Sequence, residues 1–389
     1  MLFFSRTRPL LTLVLAYIEI PLVRGRAEFQ FNAVSATKAL QNWYNQTNGL
    51  WQTTGWWNSA NCITVLADLT ALDSQLDIIT GQVWPNTFEK AQKFNLKQSR
   101  SPNSCETTVC RRNVRRKNEA QLEDANPKGF LNGFYDDEGW WALAWIKVYD
   151  LTKSPQYLKA ASDIFDDLVA TGYNATCGGI WWDRKKTHNT AISNELFMSV
   201  AAHLANRKPN KDYYVQWAQR QWDWFGKSGL INDNNNINDG LDIKTCKNDG
   251  GIIWSYNQGV ILGALVELNK AAPNDNYLKR AKDIANAAIK RLSGRDGVLH
   301  DPREPNLGGD GYQFKGVFMR NLHVLHRATG DESYKSYLEH NAQTLWERAR
   351  DDKESLFGPV WSGPFDKNHS NAATQSSGLD ALVAAASVQ

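Results

Sequence analysis

The chain has 389 residues, with 44 Lys and Arg against 41 Asp and Glu, for a formal net charge of +3. Residues 1–27 carry four Arg and one Glu, so the remainder is near neutral and bulk charge gives no support to a nucleic-acid or other polyanion-binding role. The 16 Trp are notable for where they fall: Trp56-Trp57, Trp140-Trp141 and Trp181-Trp182 are pairs set beside Gly or Asp, as in a binding cleft as well as in a core.

Residues 1–27 read as a secretory signal. Arg6 and Arg8 form the basic start, Leu10 to Ile18 the apolar run, and Gly25 and Ala27 the small residues of a cleavage point. Glu19 interrupts the apolar run, and no later stretch is apolar for long enough to span a bilayer. The end of the chain, Ala381 to Gln389, is too short for a lipid-anchor tail. The expectation is a soluble protein of residues 28–389, secreted and extracellular or associated with a cell wall. Three acceptor sequons fit that route, at Asn45, Asn174 and Asn368.

Helical segments are predicted at Ala33–Asn45, Ala60–Ile79 and Trp84–Lys97. Residues 98–125 break the pattern. They hold Cys105, Cys110 and the basic run Arg111 to Lys117, with almost no apolar residues, a composition that fits an irregular surface insertion or a translated intron.

Phe134-Tyr135-Asp136-Asp137-Glu138-Gly139-Trp140-Trp141 follows. Two adjacent aspartates among aromatic rings are costly unless paired or used. Such a site can keep one carboxyl ionised and the other protonated at neutral pH, which is what glycoside hydrolysis requires. The alternative is that Asp136 or Asp137 caps the helix that begins here.

From this point a rhythm sets in. An apolar helical segment ends in a polar turn, and a tyrosine then opens an amphipathic one; Tyr157, Tyr214, Tyr277 and Tyr334 mark intervals of 57, 63 and 57 residues. The first segments (Trp140–Val148, Ala191–Leu204, Val260–Leu268, Val317–Leu325) read as inner helices, the second ones as outer helices with one wet face. With the earlier segments and a last helix at Ala372–Ala386, six helical hairpins close into an all-α, (α/α)6 barrel, one domain spanning residues 28–389. The Gly-rich aromatic loops before the inner helices (178–183, 250–257, 308–315) then gather at one end with Asp136 and Asp137.

Cys177 and Cys246 each precede a Gly-Gly pair and are expected to form a disulfide, with Cys62 left as a buried thiol. No CxxC or Cys/His spacing suggests a metal. His188, His203, His300 and His323 lie on separate elements and read as structural.

Seven stretches together resemble glycoside hydrolase family 76, the α-1,6-mannanases, including fungal cell-wall members. They are Phe130–Trp145 around the aspartate pair, Thr176-Cys-Gly-Gly-Ile-Trp-Trp-Asp183, Ile192-Ser-Asn-Glu-Leu-Phe197, Asn238-Asp-Gly-Leu241, Trp254-Ser-Tyr-Asn-Gln-Gly259, Phe314-Lys-Gly-Val-Phe-Met-Arg320 and Val360-Trp-Ser-Gly-Pro364. The resemblance implies an (α/α)6 barrel, a retaining mechanism, and neither metal nor cofactor. By position it makes Asp136 the nucleophile and Asp137 the general acid/base. It offers Asp239, Asn194, Tyr256 and Gln258 as partners for mannose hydroxyls, with Asn194 and Gln258 open to a purely structural role. It offers Trp140, Trp181 and Trp182 for stacking on sugars, with core packing as the alternative. The implied activity is endo-hydrolysis of α-1,6-linked mannan by a monomer. A cell-wall transglycosidase using the same covalent intermediate, or a catalytically silent mannan-binding protein, are the alternatives.

Overall fold

The computed structural model describes residues 20–95 and 129–388. Most of the stretch read as a signal, and the whole of 98–125 with Cys105 and Cys110, lie outside the described residues. Asn95 Nδ2 donates to Leu131 O at 2.5 Å, so the chain meets itself on either side of 96–128.

Twelve helices of the described chain alternate between two rings. The inner ring is α2 (Trp56–Leu72), α5 (Tyr135–Thr152), α7 (Ala191–Ala205), α9 (Ser255–Ala271), α12 (Phe314–Thr329) and α14 (Ala372–Ser387). The outer ring is α1 (Ile20–Gln41), α4 (Val83–Lys90), α6 (Pro155–Thr171), α8 (Lys211–Lys227), α10 (Asp275–Leu292) and α13 (Glu332–Arg348). Two single-turn helices, α3 (Asp77–Thr80) and α11 (Gly308–Gly311), sit in connections. Each inner helix packs on the next, and α14 returns to α2 and closes the ring. This is the (α/α)6 barrel expected from the hairpin rhythm.

Sequence explains the assignment of helices to rings. All of α9 is buried except Asn269 and Lys270, and α14 is buried from Ala372 to Ala386, so neither has a wet face. In α10 the buried residues are Tyr277, Ala281, Ile284, Ala285, Ala288 and Leu292, a helical stripe with charged residues around it. Small residues let the inner helices approach. A Cβ on Gly259 would stand 2.6 Å from the Phe318 Cα, so only glycine fits where α9 crosses α12.

Boundaries differ from expectation at α2. The predicted run to Ile79 stops at Leu72, because the Asp73 carboxylate accepts the Gln75 N–H and starts a short 3-10 turn, Ser74–Leu76, in place of another α turn. Strands are short: Tyr44–Asn45 pairs with Leu50–Trp51, and Asn189–Thr190, Gly240–Asp242 and Lys247–Asn248 form an antiparallel sheet in that order. The second sheet ties the loop before α7 to the loop before α9 through Asn189↔Leu241 and Leu241↔Asn248. Cys177 and Cys246 form a disulfide across the same loops, with Cα atoms 5.2 Å apart, and Cys62 is a buried free thiol.

Candidate active site

The N-terminal ends of the inner helices meet at one end of the barrel. Trp57, at the start of α2, stacks on Trp140 of α5 with ring centroids 5.6 Å apart. The Trp57 indole N–H also donates to Asp310 Oδ1 at 3.0 Å, in the turn before α12. Tyr256 of α9 stacks on Phe314 of α12 at 3.8 Å. Gln313 joins α2, α12 and α14: its Oε1 accepts from Asn58 Nδ2 at 2.8 Å and its Nε2 donates to Ser376 Oγ at 2.7 Å. Six helix N-termini aimed at one place supply a field that favours negative charge, and acidic residues collect there.

Asp136 and Asp137 lie in the first turn of α5. The N-cap is Phe134, with no side-chain hydrogen bond, so neither aspartate is the cap residue. Asp136 is half-buried. Its Oδ2 accepts from the Trp182 indole N–H at 2.9 Å, and its Oδ1 is enclosed with no side-chain partner. Asp137 is buried, and its Oδ2 accepts from Asn132 Nδ2 at 2.7 Å. Burial pushes the Asp136 carboxyl up to about 7, opposed by the Trp182 N–H. Burial, followed by the charge of Asp136, pushes Asp137 well above the usual carboxylate range. Asp310 adds a third negative charge facing both. Two coupled carboxyls of this kind share protons, and the first to ionise is Asp136. Around neutral pH the pair therefore passes from two carboxylic acids to one carboxylate beside one carboxylic acid.

Glu138 turns away from the mouth. It is fully buried and pairs with Arg184 at 2.7 Å. Burial raises its carboxyl and Arg184 opposes the rise.

A second acidic group lies across the mouth. Asp239 is half-buried and accepts from Asn257 Nδ2 at 3.1 Å; burial raises it. Behind it, Glu195 on α7 is wholly buried and neither carboxylate oxygen has a hydrogen-bond partner. Burial, then the nearby Asp239, raises Glu195 well above the usual range. The folded state thus keeps a proton that the unfolded chain releases, so Glu195 costs stability increasingly as pH rises above the ordinary carboxylate range. Glu195→Gln is expected to melt a few degrees above wild type at pH 8, with the gap closing toward pH 4. Equal melting curves at both pH values would show that Glu195 has a compensating partner.

The other residues singled out from the sequence separate into two groups. Trp182 and Asp239 are half-buried at this end of the barrel, and Tyr256 is buried there against Phe314. Asn194 and Gln258 form the other group. Asn194 Oδ1 accepts from Ile180 N and Gln221 Nε2, and its Nδ2 donates to Ile180 O, Asn189 Oδ1 and Thr190 O, which uses its whole capacity. Gln258 Oε1 accepts from Ile237 N, and Nε2 donates to Ile237 O and Trp254 O. Both amides fasten loops to inner helices and are wholly buried, out of reach of a sugar. Trp140 is buried between Trp57 and Arg320, and Trp181 is buried as well, so both pack the core.

The sequon residue Asn174 is also corrected. It is wholly buried, with Nδ2 enclosed and Oδ1 accepting from Thr176 N and Cys177 N, so a glycan there would displace this packing. Asn368 is exposed and Asn45 half-buried. Among the described residues no group of three or more His, Cys, Asp or Glu is placed to hold a metal ion. His203 and His323 lie on inner helices, held neutral by burial, which pushes each down to about 4. Sequence reasoning gave no role to Asp310, Glu195, Asn132 or Arg184. The first three lie within the loops and motifs singled out above, but their spacing carried no chemistry of its own.

The sequence model of glycosyl hydrolase family 76 matches residues 28–389. The chain belongs to that family. Among curated proteins it is similar to mannan endo-1,6-alpha-mannosidase DCW1 of Candida albicans, 29% identical over 209 residues, covering 48% of this chain and 46% of the relative. The Saccharomyces cerevisiae protein of the same name is 27% identical over 207 residues, covering 49% and 45%. The chain thus spans about half the length of the curated relatives it matches. Solved structures align over nearly the whole chain. The Lin0763 protein from Listeria innocua has a TM-score of 0.71 and 25% identity, covering 92% of this chain and 97% of that one. An inactive variant of a Salegentibacter α-1,6-mannanase, with two consecutive aspartates changed to alanine, was solved in complex with α-1,6-mannotetrose. It has a TM-score of 0.73 and 21% identity, covering 93% and 99%. Dfg5 from Chaetomium thermophilum, in complex with glucosamine, has a TM-score of 0.73 and 17% identity, covering 93% and 90%. At such identities the last two speak for the fold.

Proposed function

We propose that this family 76 protein is a retaining endo-α-1,6-mannosidase acting on mannan, with Asp136 as nucleophile and Asp137 as general acid/base. The observation that carries the reading is the placement of two consecutive carboxyls where the inner-helix N-termini meet, Asp136 half-buried on the Trp182 N–H and Asp137 buried on the Asn132 amide. Asp136 Oδ1 attacks C1 of a mannosyl unit. The bond from C1 to the O6 of the next sugar breaks, and that oxygen takes the proton of Asp137. Asp137, now a carboxylate, removes a proton from water; the water oxygen attacks C1 and frees Asp136. The N–H of Trp182 steadies the Asp136 carboxylate before attack and its return as leaving group.

The mannanase names of the curated relatives and the mannotetrose complex of the Salegentibacter enzyme support mannan as substrate. The Cys177–Cys246 disulfide supports an oxidising, extracytoplasmic setting, and no described helix is long and apolar enough to cross a membrane. The protein is read as a monomer at the cell wall or outside the cell.

The test is the anomeric form of the first product. Incubated with α-1,6-mannan, the enzyme is expected to release oligosaccharides whose new reducing ends are initially α, seen by NMR before mutarotation. Initial β product would overturn the assignment of Asp136, and no product would favour a silent binding protein. A second run with excess mannobiose as acceptor measures the transglycosidase reading, since the same ester intermediate can pass to a sugar hydroxyl and lengthen the acceptor.

A further inference from the structure

The segment from Trp181 to Arg184 lies extended against Asn132 to Tyr135. Tyr135 N donates to Trp182 O at 2.9 Å and Arg184 N donates to Gly133 O at 3.1 Å, around an antiparallel bridge between Phe134 and Asp183. Trp182 and Arg184, on either side of the bridge residue Asp183, both reach the start of α5, at Asp136 and Glu138. Asp183 is fixed by Thr187, whose N and Oγ1 donate to its carboxylate at 2.7 and 2.8 Å.

Trp182 meets Asp136 directly. Arg184 meets Asp137 through Asn132. Its Nε donates to Asn132 O at 2.6 Å. Its Nη2 donates to Glu138 Oε1 at 2.7 Å, and that same oxygen accepts from Asn132 N at 2.8 Å. Both backbone polar groups of Asn132 are thereby gripped. The side chain they carry donates Nδ2–H to Asp137 Oδ2 at 2.7 Å and accepts from Phe134 N at 2.8 Å. The same Nη2 also donates to Asp167 Oδ2 at 2.6 Å, and Nη1 donates to Thr171 Oγ1 at 3.1 Å, with the guanidinium over the ring of Tyr135.

We infer that Arg184 is a positioning residue for the general acid/base: by clamping Asn132 it sets the direction and strength of the hydrogen bond that Asp137 receives, while Trp182 of the same segment holds Asp136. One short segment thus supports both consecutive carboxyls, whose side chains already leave the helix about 100° apart. The inference rests on the reading of Asp137 as acid/base.

The chemical consequence has a sign. The groups facing Asp137 are Asp136 and Glu138 from its own helix, Asp310 from the turn before α12, and Asn132. The three carboxyls raise its proton affinity, and the Asn132 N–H, which favours the ionised form, opposes them. Loosening Asn132 removes that opposition. Asp137 then holds its proton more tightly, so the basic limb of kcat/KM moves upward, by about one pH unit for one lost hydrogen bond to a charged group.

The experiment compares Arg184→Met and Arg184→Lys with wild type, with Asp137→Asn as reference and Arg207→Met as control. Arg207→Met removes an arginine that pairs with Asp150 and Glu267 and is no part of the clamp on Asn132. Arg184→Lys keeps a positive charge and carries the test if the methionine variant does not fold. Two substrates are used: aryl α-1,6-mannobiosides with a leaving group that departs unprotonated and with one that needs a proton. Both Arg184 variants are expected to lose roughly ten- to a hundredfold in kcat/KM on the proton-requiring substrate, to lose little on the other, and to show the raised basic limb. Arg207→Met is expected to change neither. Equal losses on both substrates with an unmoved basic limb would overturn the inference and leave Arg184 a structural residue. If Asp137→Asn itself showed no dependence on the leaving group, the reading of Asp137 would fall, and this inference with it.

Discussion

Asp136→Asn is expected to abolish hydrolysis of α-1,6-mannan, and Asp137→Asn to reduce it about a thousandfold or more, with both proteins folded. An amide at 136 cannot form the mannosyl ester. An amide at 137 cannot give a proton to the departing oxygen or take one from water. Azide separates the two defects through the configuration of the product. In Asp137→Asn the ester still forms from an activated aryl mannoside, and azide intercepts it by a second displacement, giving the α-azide. Any azide product from Asp136→Ala, where the smaller side chain leaves room, comes from one displacement and is the β-azide. Matching configurations from the two variants would sink the assignment of roles. Stability provides the check against misfolding. Asp136 is held at about 7 in the fold, mainly by burial. The folded chain therefore binds a proton that the unfolded chain releases above the ordinary carboxylate range, and stability falls as pH rises from about 4 toward 7. The asparagine variants escape this penalty. At pH 7 they should melt at or above the wild-type temperature, an advantage that fades toward pH 4.

The sequence carried the architecture because burial leaves a strong imprint on helices. An inner helix such as Val260–Leu268 has no polar stripe, whereas Tyr277–Leu292 shows one clearly, and the alternation of the two types repeats at intervals of 57, 63 and 57 residues. The aspartate pair was legible for a related reason: carboxyls among aromatic residues need a purpose. The amides were not. Asn194 and Gln258 sit where a sugar-binding residue would sit, but they satisfy loop backbones, and a sequence cannot distinguish a peptide group from a hydroxyl as the partner of an amide. Arg184 was hidden differently. In Asp183-Arg184-Lys185-Lys186 it looks like part of a charged loop, and its partner Asn132 lies 52 residues away. Only the pairing of two extended segments brings them together.

The same segment makes the disulfide more than a surface staple. Cys177 leads through Gly178 and Gly179 to Trp182, and its carbonyl oxygen accepts from the Trp224 indole N–H at 2.9 Å. Cys246 ends a tight turn in which its N–H donates to Asp242 O at 2.7 Å, and it adopts the left-handed conformation with φ +56, an arrangement disfavoured for a residue with a Cβ. The bond closes a loop with a sequence separation of 69, so by the chain-entropy model it stabilises by about 4 kcal/mol. In a chain of this size that corresponds to roughly 5 °C in melting temperature. Replacing both cysteines by serine, which avoids a stray thiol, should lower the melting temperature by about that amount, and reducing agent should do the same to wild type while leaving the variant unchanged. Activity should fall less than stability, because Tyr135 N–H, the Phe134–Asp183 bridge and Arg184 still hold the segment against α5. The contrast locates the bond's contribution. If the serine variant melted like wild type yet lost most of its kcat, the disulfide would be acting on the geometry around Asp136 and not on the unfolded chain.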